Sequence, residues 1–289
     1  GHRAPLGVGD GKGVMFVNGT MDRHADELFL RVYADGELAE ERKQKTTKGD
    51  RYSFAVVLEP GLINYRTELG CRTGSTETII HKAGDIVCGD AYLIDGQSNA
   101  LATDTRDESP RETYEWVRSF GGPTGRGDAT KWVENEFKAK GLNLWTHPVW
   151  KYEGGRARRA SIEKHKAELG WWGMVLARRL VESQKVPICM IQAAIGGTRI
   201  DEHQRNEENP TDLSTMYGRM LWRIRQAKLT HGIRAIMWHQ GENDQGSAGP
   251  SGGYGWQSYQ RYFIEMSSAW KRDFPNVRKY YIFQIWPNS

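Results

Sequence analysis

Three short polar segments carry residue types suited to ester hydrolysis. They are Asp95-Gly96-Gln97-Ser98-Asn99-Ala100, Ala194-Ile195-Gly196-Gly197-Thr198-Arg199 and Trp238-His239-Gln240-Gly241-Glu242-Asn243-Asp244. Ester hydrolysis needs a nucleophile, a base and donors for the oxyanion. Ser98 is the candidate nucleophile. Gly197 lacks a Cβ and can bring its backbone N–H close to a substrate oxygen, while Gln240 or Asn243 can add a side-chain amide. Losing one such donor typically costs ~10²–10³ in rate. Gln97, Asn99, Thr198 and Arg199 flank these groups and are assigned to substrate contacts. Singly, a Gly-x-Ser turn is most often a helix cap and Gly-Gly-Thr a turn. In order, at three strand ends, they are far more specific.

Those strand ends follow from the apolar pattern. Residues 1–85 hold short alternating runs, Val14–Val17, Leu28–Tyr33, Tyr52–Leu58 and Ile63–Leu69, punctuated by Asp35-Gly36, Lys48-Gly49-Asp50 and Pro60-Gly61. Period-two spacing with such turns predicts a small antiparallel β-sandwich as an accessory module. Residues 86–289 alternate strands with helices. Strands are predicted at Ile86–Ile94, Ile188–Ala194, Ile233–Trp238 and Tyr280–Ile285. Helical stripes run through Leu169, Trp172, Leu176 and Leu180, then Met216, Met220, Leu221 and Ile224, then Tyr259, Tyr262, Phe263, Met266 and Trp270. This order predicts an α/β fold, a three-layer parallel sheet flanked by helices, with the polar segments in the crevice where ligands bind. The stretch from Leu101 to Glu168 lacks clean periodicity and is taken as an insertion over the site.

Composition narrows the function class. The chain has 289 residues, with 40 basic against 36 acidic, a net charge of +4. That surplus is too small to imply nucleic acid. The basic runs Arg156, Arg158, Arg159 and Arg223, Arg225, Lys228 read as solvated faces. Eleven tryptophans are a mild pointer to sugar rings, which stack on indoles. Cys189 reads as a core residue, and Cys71 and Cys88 could pair. No ligand cluster suggests a metal, and no apolar stretch suggests a membrane span. Gly1-His2 reads as a cloning remnant, which leaves a removed export signal open.

The motifs Gly96-Gln97-Ser98-Asn99, Gly196-Gly197-Thr198 and Trp238-His239-Gln240-Gly241-Glu242 together resemble the blocks of the SGNH hydrolases. The resemblance is greatest to the branch of sialate O-acetylesterases and plant-polysaccharide acetylesterases. It implies Ser98 as nucleophile and an oxyanion hole built from the backbone N–H of Ser98 and Gly197. It also implies Gln240 as the side-chain donor, since Trp238 fixes the register, although Gly241-Glu242-Asn243-Asp244 also spells the older Gly-x-Asn-Asp pattern. In some relatives the glutamate matching Glu242 is the acid of the triad; its other reading is an ion pair that holds the loop. His239 stands where the family usually has tyrosine and is read as structural. The chemistry needs no cofactor.

The resemblance also implies a base on an Asp-x-x-His stretch beyond the last strand. None of the eight histidines (His2, His24, His81, His147, His165, His203, His231, His239) lies in one, and none follows Asp244. A serine hydroxyl without a base is a poor nucleophile. Two readings stand. One is a carbohydrate O-acetylesterase, secreted or periplasmic, acting on acetylated polysaccharide or sialoglycan, whose Asp and His come from a separate C-terminal fragment. The other is a carbohydrate-binding pseudo-esterase. A lipase is disfavoured because Gly-x-Ser-x-Gly is absent.

Overall fold

The computed structural model describes residues 11–102, 112–123, 125–150, 167–246, 248–252 and 256–285. They gather into two compact units, Gly1–Gly89 with Lys185–Pro187, and Asp90–Gln184 with Ile188–Ser289. Arg156, Arg158 and Arg159 lie outside the described residues.

The first unit is antiparallel β throughout. Its strands are β1 (Gly13–Thr20), β2 (Glu27–Ala34), β3 (Glu37–Lys45), β4 (Arg51–Leu58), β5 (Tyr65–Thr73) and β6 (Thr76–Ile86). β1 pairs with β4, and the other four run in the order β3-β2-β5-β6. Period two explains the core: Phe54, Val56 and Leu58 of β4 point inward beside Met15, Leu28, Leu30, Val32 and Leu69. Asp35 and Gly36, with φ of 49° and 92°, form the tight turn from β2 to β3. Cys71 and Cys88 are both buried thiols in this core and form no disulfide with each other.

The second unit holds β7 (Asp90–Gly96), α1 (Ser98–Leu101), β8 (Val117–Phe120), α2 (Thr130–Trp132) and β9 (Trp145–Thr146). It continues with α3 (Trp171–Gln184), β10 (Ile188–Gln192), α4 (Met216–Gln226), β11 (Ile233–His239), α5 (Trp256–Asp273) and β12 (Lys279–Ile282). The sheet order is β12-β11-β7-β10-β8-β9, and every neighbouring pair except β8–β9 is parallel. β7 therefore runs between β10 and β11, and the three polar segments leave adjacent strands at one end. Leu93 faces the cluster built from α4 and α5, including Leu221, Ile224 and Trp270. Ile94 points to the opposite face, where a Cβ on Gly173 of α3 would lie 3.1 Å from its Cδ1. Helices thus cover both faces, and Ile191 and Ile236 are buried as a two-sided sheet requires.

Four features depart from the sequence reading. The run Ile86–Ile94 is two strands, broken at Val87–Gly89; a Cβ on Gly89 would sit 1.8 Å from the Pro187 carbonyl oxygen, so the backbones meet there. The Leu101–Glu168 stretch supplies β8 and β9, and β8 is buried along its whole length. α3 turns Gly173, Met174, Ala177 and Val181 inward, while Trp172, Leu176 and Leu180 are only half-buried. Arg223 is no solvated residue. It is buried on the inner face of α4, and only Arg225 and Lys228 of that run are exposed. No helix among the described residues is long and apolar enough to cross a membrane.

Candidate active site

At the end of β7 the chain passes through Gly96, with φ of +134°. A Cβ there would lie 2.1 Å from the His239 carbonyl oxygen, so only glycine fits. This close approach lets Gln97 N–H donate to His239 O at 3.0 Å. Ser98 follows at the start of α1 and is exposed. The turn after β10 is tied alongside by Ile195 N–H donating to Gly96 O at 2.9 Å. Gly196 faces Ser98 so closely that a Cβ on it would lie 3.9 Å from Ser98 Cβ. Gly196 and Gly197 are exposed. Among the described residues, no hydrogen bond engages the Ser98 hydroxyl or the backbone N–H groups of Ser98 and Gly197.

Several other sequence-selected residues turn inward. Gln97 is buried, and its Oε1 accepts from Gln240 Nε2 at 3.2 Å, Gly241 N–H at 3.3 Å and Asn243 N–H at 3.2 Å. Gln240 Nε2 also lies against Thr198 O at 2.9 Å and Asp244 Oδ2 at 2.5 Å. Its two hydrogens thus face three internal acceptors, and its Oε1 is buried without a partner. Thr198 is fully buried. Arg199 forks onto Asp201 at 2.8 and 3.0 Å.

Asn99, Glu242 and Asn243 stay at the rim. Asn99 Nδ2 donates to Glu242 Oε1, which His239 Nε2 faces at 3.4 Å. Burial pushes the Glu242 carboxyl up, but hydrogen bonds from His239, its own backbone and Asn99 outweigh that and hold it below the usual carboxylate range. The Asn243 side-chain amide, half-buried, has no partner among the described residues. No group of His, Cys, Asp and Glu among the described residues could hold a metal ion.

Residues 123–278 match the family model "Carbohydrate esterase, sialic acid-specific acetylesterase". This chain belongs to that carbohydrate esterase family. The matched span contains the second and third polar segments and begins after Ser98. Solved structures of similar fold include a carbohydrate acetylesterase from Xanthomonas citri, with TM-score 0.47, 18% identity and coverage of 92% of this chain and 56% of that one. A protein from Arabidopsis thaliana has TM-score 0.41 and 17% identity over 66% and 71% of the two chains. A family two carbohydrate esterase from Clostridium thermocellum, solved with cellohexaose, has TM-score 0.32 and 10% identity over 99% and 74%. The chain spans 56% of the length of the Xanthomonas protein. No curated protein matches its sequence.

In this carbohydrate esterase family member, further residues gather at the site that sequence reasoning did not select. Arg126 reaches from the presumed insertion to donate to Gly197 O and, at 2.6 Å, to Glu202 Oε1. Arg219 holds that segment in place through the carbonyls of Gly125 at 2.6 Å and Gly127 at 2.5 Å. No motif or periodicity marks Arg126, whose partner is a backbone atom 71 residues away.

Asp244 carries a pH prediction. The Ser251 hydroxyl touches both Asp201 Oδ1 and Asp244 Oδ1, yet it has one proton to give. Burial and opposing hydrogen bonds leave Asp201 low, because Arg199 and Ser251 hold its charge. Burial dominates at Asp244 and leaves its carboxyl above the usual 3.8 despite hydrogen bonds from Ser251, Gln240 and Ile200 N–H. A raised folded-state value means a contribution fully present below pH 3.8 and lost as pH rises through the folded value. Asp244→Asn mimics the protonated form. Its melting temperature should match the parent's in acid, rise above it as the pH passes through the folded value, and stay above it at higher pH. Parallel melting curves from pH 4 to 8 would contradict this.

Proposed function

We propose that the protein is a carbohydrate O-acetylesterase in which Ser98 is the nucleophile. The observation that carries this reading is the exposed Ser98 hydroxyl facing a glycine turn beside it, which, like the N–H groups of Ser98 and Gly197, has no hydrogen-bond partner among the described residues. Ser98 Oγ bonds to the acetyl carbonyl carbon as a base takes its proton. The carbonyl oxygen gains negative charge and is held by Ser98 N–H and Gly197 N–H. The C–O bond to the sugar then breaks, and the sugar oxygen takes the proton from the base. Water reverses the sequence and releases acetate. Asn243 is the better third donor, since its amide has no partner among the described residues whereas the Gln240 amide faces internal acceptors. Glu242, with its carboxylate held by Asn99 and His239, fixes the loop beside Ser98.

The substrate is an acetylated polysaccharide or sialoglycan, and the working site is outside the cell or in the periplasm. The base comes from residues outside the described ones. The pseudo-esterase reading is favoured by one observation: among the described residues, no imidazole is hydrogen-bonded to the Ser98 hydroxyl.

Hydrolysis of p-nitrophenyl acetate with added imidazole separates the two. The small imidazole replaces the base, so the esterase reading predicts a saturable rate above background that Ser98→Ala removes. A rate equal in the parent and Ser98→Ala would leave only a binding protein.

A further inference from the structure

Beneath the glycine turn lies a buried chain that the mechanism above does not use. Thr198 Oγ1 is 2.8 Å from Ile195 O and 2.8 Å from His203 Nε2. His203 Nδ1 faces Asp95 Oδ1 at 3.5 Å, and Asp95 Oδ1 accepts the Gly96 N–H at 2.8 Å. The imidazole packs edge-on against Trp238, centroid to centroid 5.2 Å. A hydroxyl, an imidazole and a carboxylate in that order look like a hydrolytic triad. Burial excludes that role: Thr198, His203 and Asp95 are 0%, 2% and 4% exposed, so no substrate carbonyl reaches Oγ1.

The chain does connect the two halves of the oxyanion site. Asp95 immediately precedes Gly96-Gln97-Ser98, and Thr198 immediately follows Gly197. The Thr198 hydroxyl gives its one proton to the Ile195 carbonyl, so its oxygen accepts from His203 Nε2. The Thr198 carbonyl is held separately by Gln240 Nε2 at 2.9 Å, and the Gly197 carbonyl by Arg126. The Thr198 hydroxyl and the Gly197 and Thr198 carbonyls are thereby anchored, while the Gly197 N–H has no hydrogen-bond partner among the described residues.

We infer that His203 is a positioning residue: through Thr198 it fixes the direction of the Gly197 N–H relative to Ser98. This rests on the proposed role of Gly197 as an oxyanion donor. An imidazole suits the task because it is rigid and meets Thr198 and Asp95 at opposite edges, so the spacing between Asp95 and Thr198 sets the turn. A displacement of about 1 Å at such a donor costs on the order of 10²-fold in rate.

Three variants of the full chain test it. Thr198→Val keeps the shape and removes the hydroxyl, Thr198→Ser keeps the hydroxyl, and His203→Phe keeps the ring on Trp238 without its nitrogens. Acetate, whose carboxylate resembles the oxyanion, is titrated while the Gly197 ¹⁵N–¹H signal is followed. In parallel, imidazole-supported p-nitrophenyl acetate hydrolysis gives kcat and KM. Thr198→Val and His203→Phe should weaken the acetate-induced shift and lower kcat by about 10- to 100-fold with KM little changed, and Thr198→Ser should restore both. Equal behaviour of Val and Ser variants would overturn the inference, as would an unmoved Gly197 signal in the parent. Ser98→Ala keeps the outcomes apart. If hydrolysis ignores that substitution, the esterase reading fails, while the acetate titration still decides the role of His203.

Discussion

Replacing Gly96 with alanine is expected to abolish the site and to destabilise the protein. The new Cβ would lie 2.1 Å from the His239 carbonyl oxygen and 2.7 Å from its carbonyl carbon, both backbone atoms that cannot swing aside. The φ of +134° is also one that side-chain-bearing residues rarely adopt. Relief requires β7 and β11 to part where Gln97 N–H bonds His239 O, which is the contact that sets Ser98 beside the third polar segment. Strain and clash together are expected to cost at least about 3 kcal/mol. A shift of even 1 Å at Ser98 should lower Ser98-dependent hydrolysis by about 10²-fold or more. Urea unfolding and the imidazole-supported rate check the two effects separately. A Gly96→Ala protein with parental midpoint and rate would show that the strands do not approach as described.

Arg223→Met is expected to be the costliest core substitution for stability. The guanidinium donates to Phe120 O at 2.7 Å, Gln192 O at 2.7 Å and Gly121 O at 3.3 Å, and it has no carboxylate partner among these contacts. Burial pushes it down to about 10, so it stays charged at neutral pH. Exchanging a buried ionic group for an apolar one is tolerable only when its partners go too. Here the partners are carbonyls of β8, the turn beyond it and β10, and they remain behind unsatisfied. Each such group costs about 1–3 kcal/mol, so a loss of about 3–5 kcal/mol is expected, equal to a melting-temperature drop on the order of 10 °C. Calorimetry reads this directly, and a drop under about 2 °C would contradict it.

These arginines also show where sequence reading runs short. An arginine in a basic run looks like solvent, because spacing along α4 says which residues share a face but not that carbonyls lie opposite. Alternating runs gave away β1, β2, β4 and β5, since one apolar face suffices to mark them. β3, Glu-Leu-Ala-Glu-Glu-Arg-Lys-Gln-Lys, carried no such signal. It is an edge strand kept soluble by charge on both faces, and its ion pairs, such as Arg31–Glu41 at 2.6 Å, form only across strands. β8 was hidden because four residues in a Gly- and Arg-rich stretch have too short a period to read. The motif glycines were legible because each is needed locally. Arg126 and the Asp95–His203 pair were not: Arg126 meets Gly197 71 residues away, and Asp95 lies in β7 whereas His203 follows β10, so no spacing rule marks the buried pairing that orients Gly197.

Covalent trapping tests the role of Ser98 most directly. Incubation of the full chain with a p-nitrophenyl phosphonate ester and imidazole, followed by digestion and peptide mass mapping, locates any nucleophile that attacks. One phosphonyl group on the peptide containing Ser98, absent from Ser98→Ala, is the expected result. No adduct, or an adduct that persists on another residue in Ser98→Ala, would contradict a serine-nucleophile esterase.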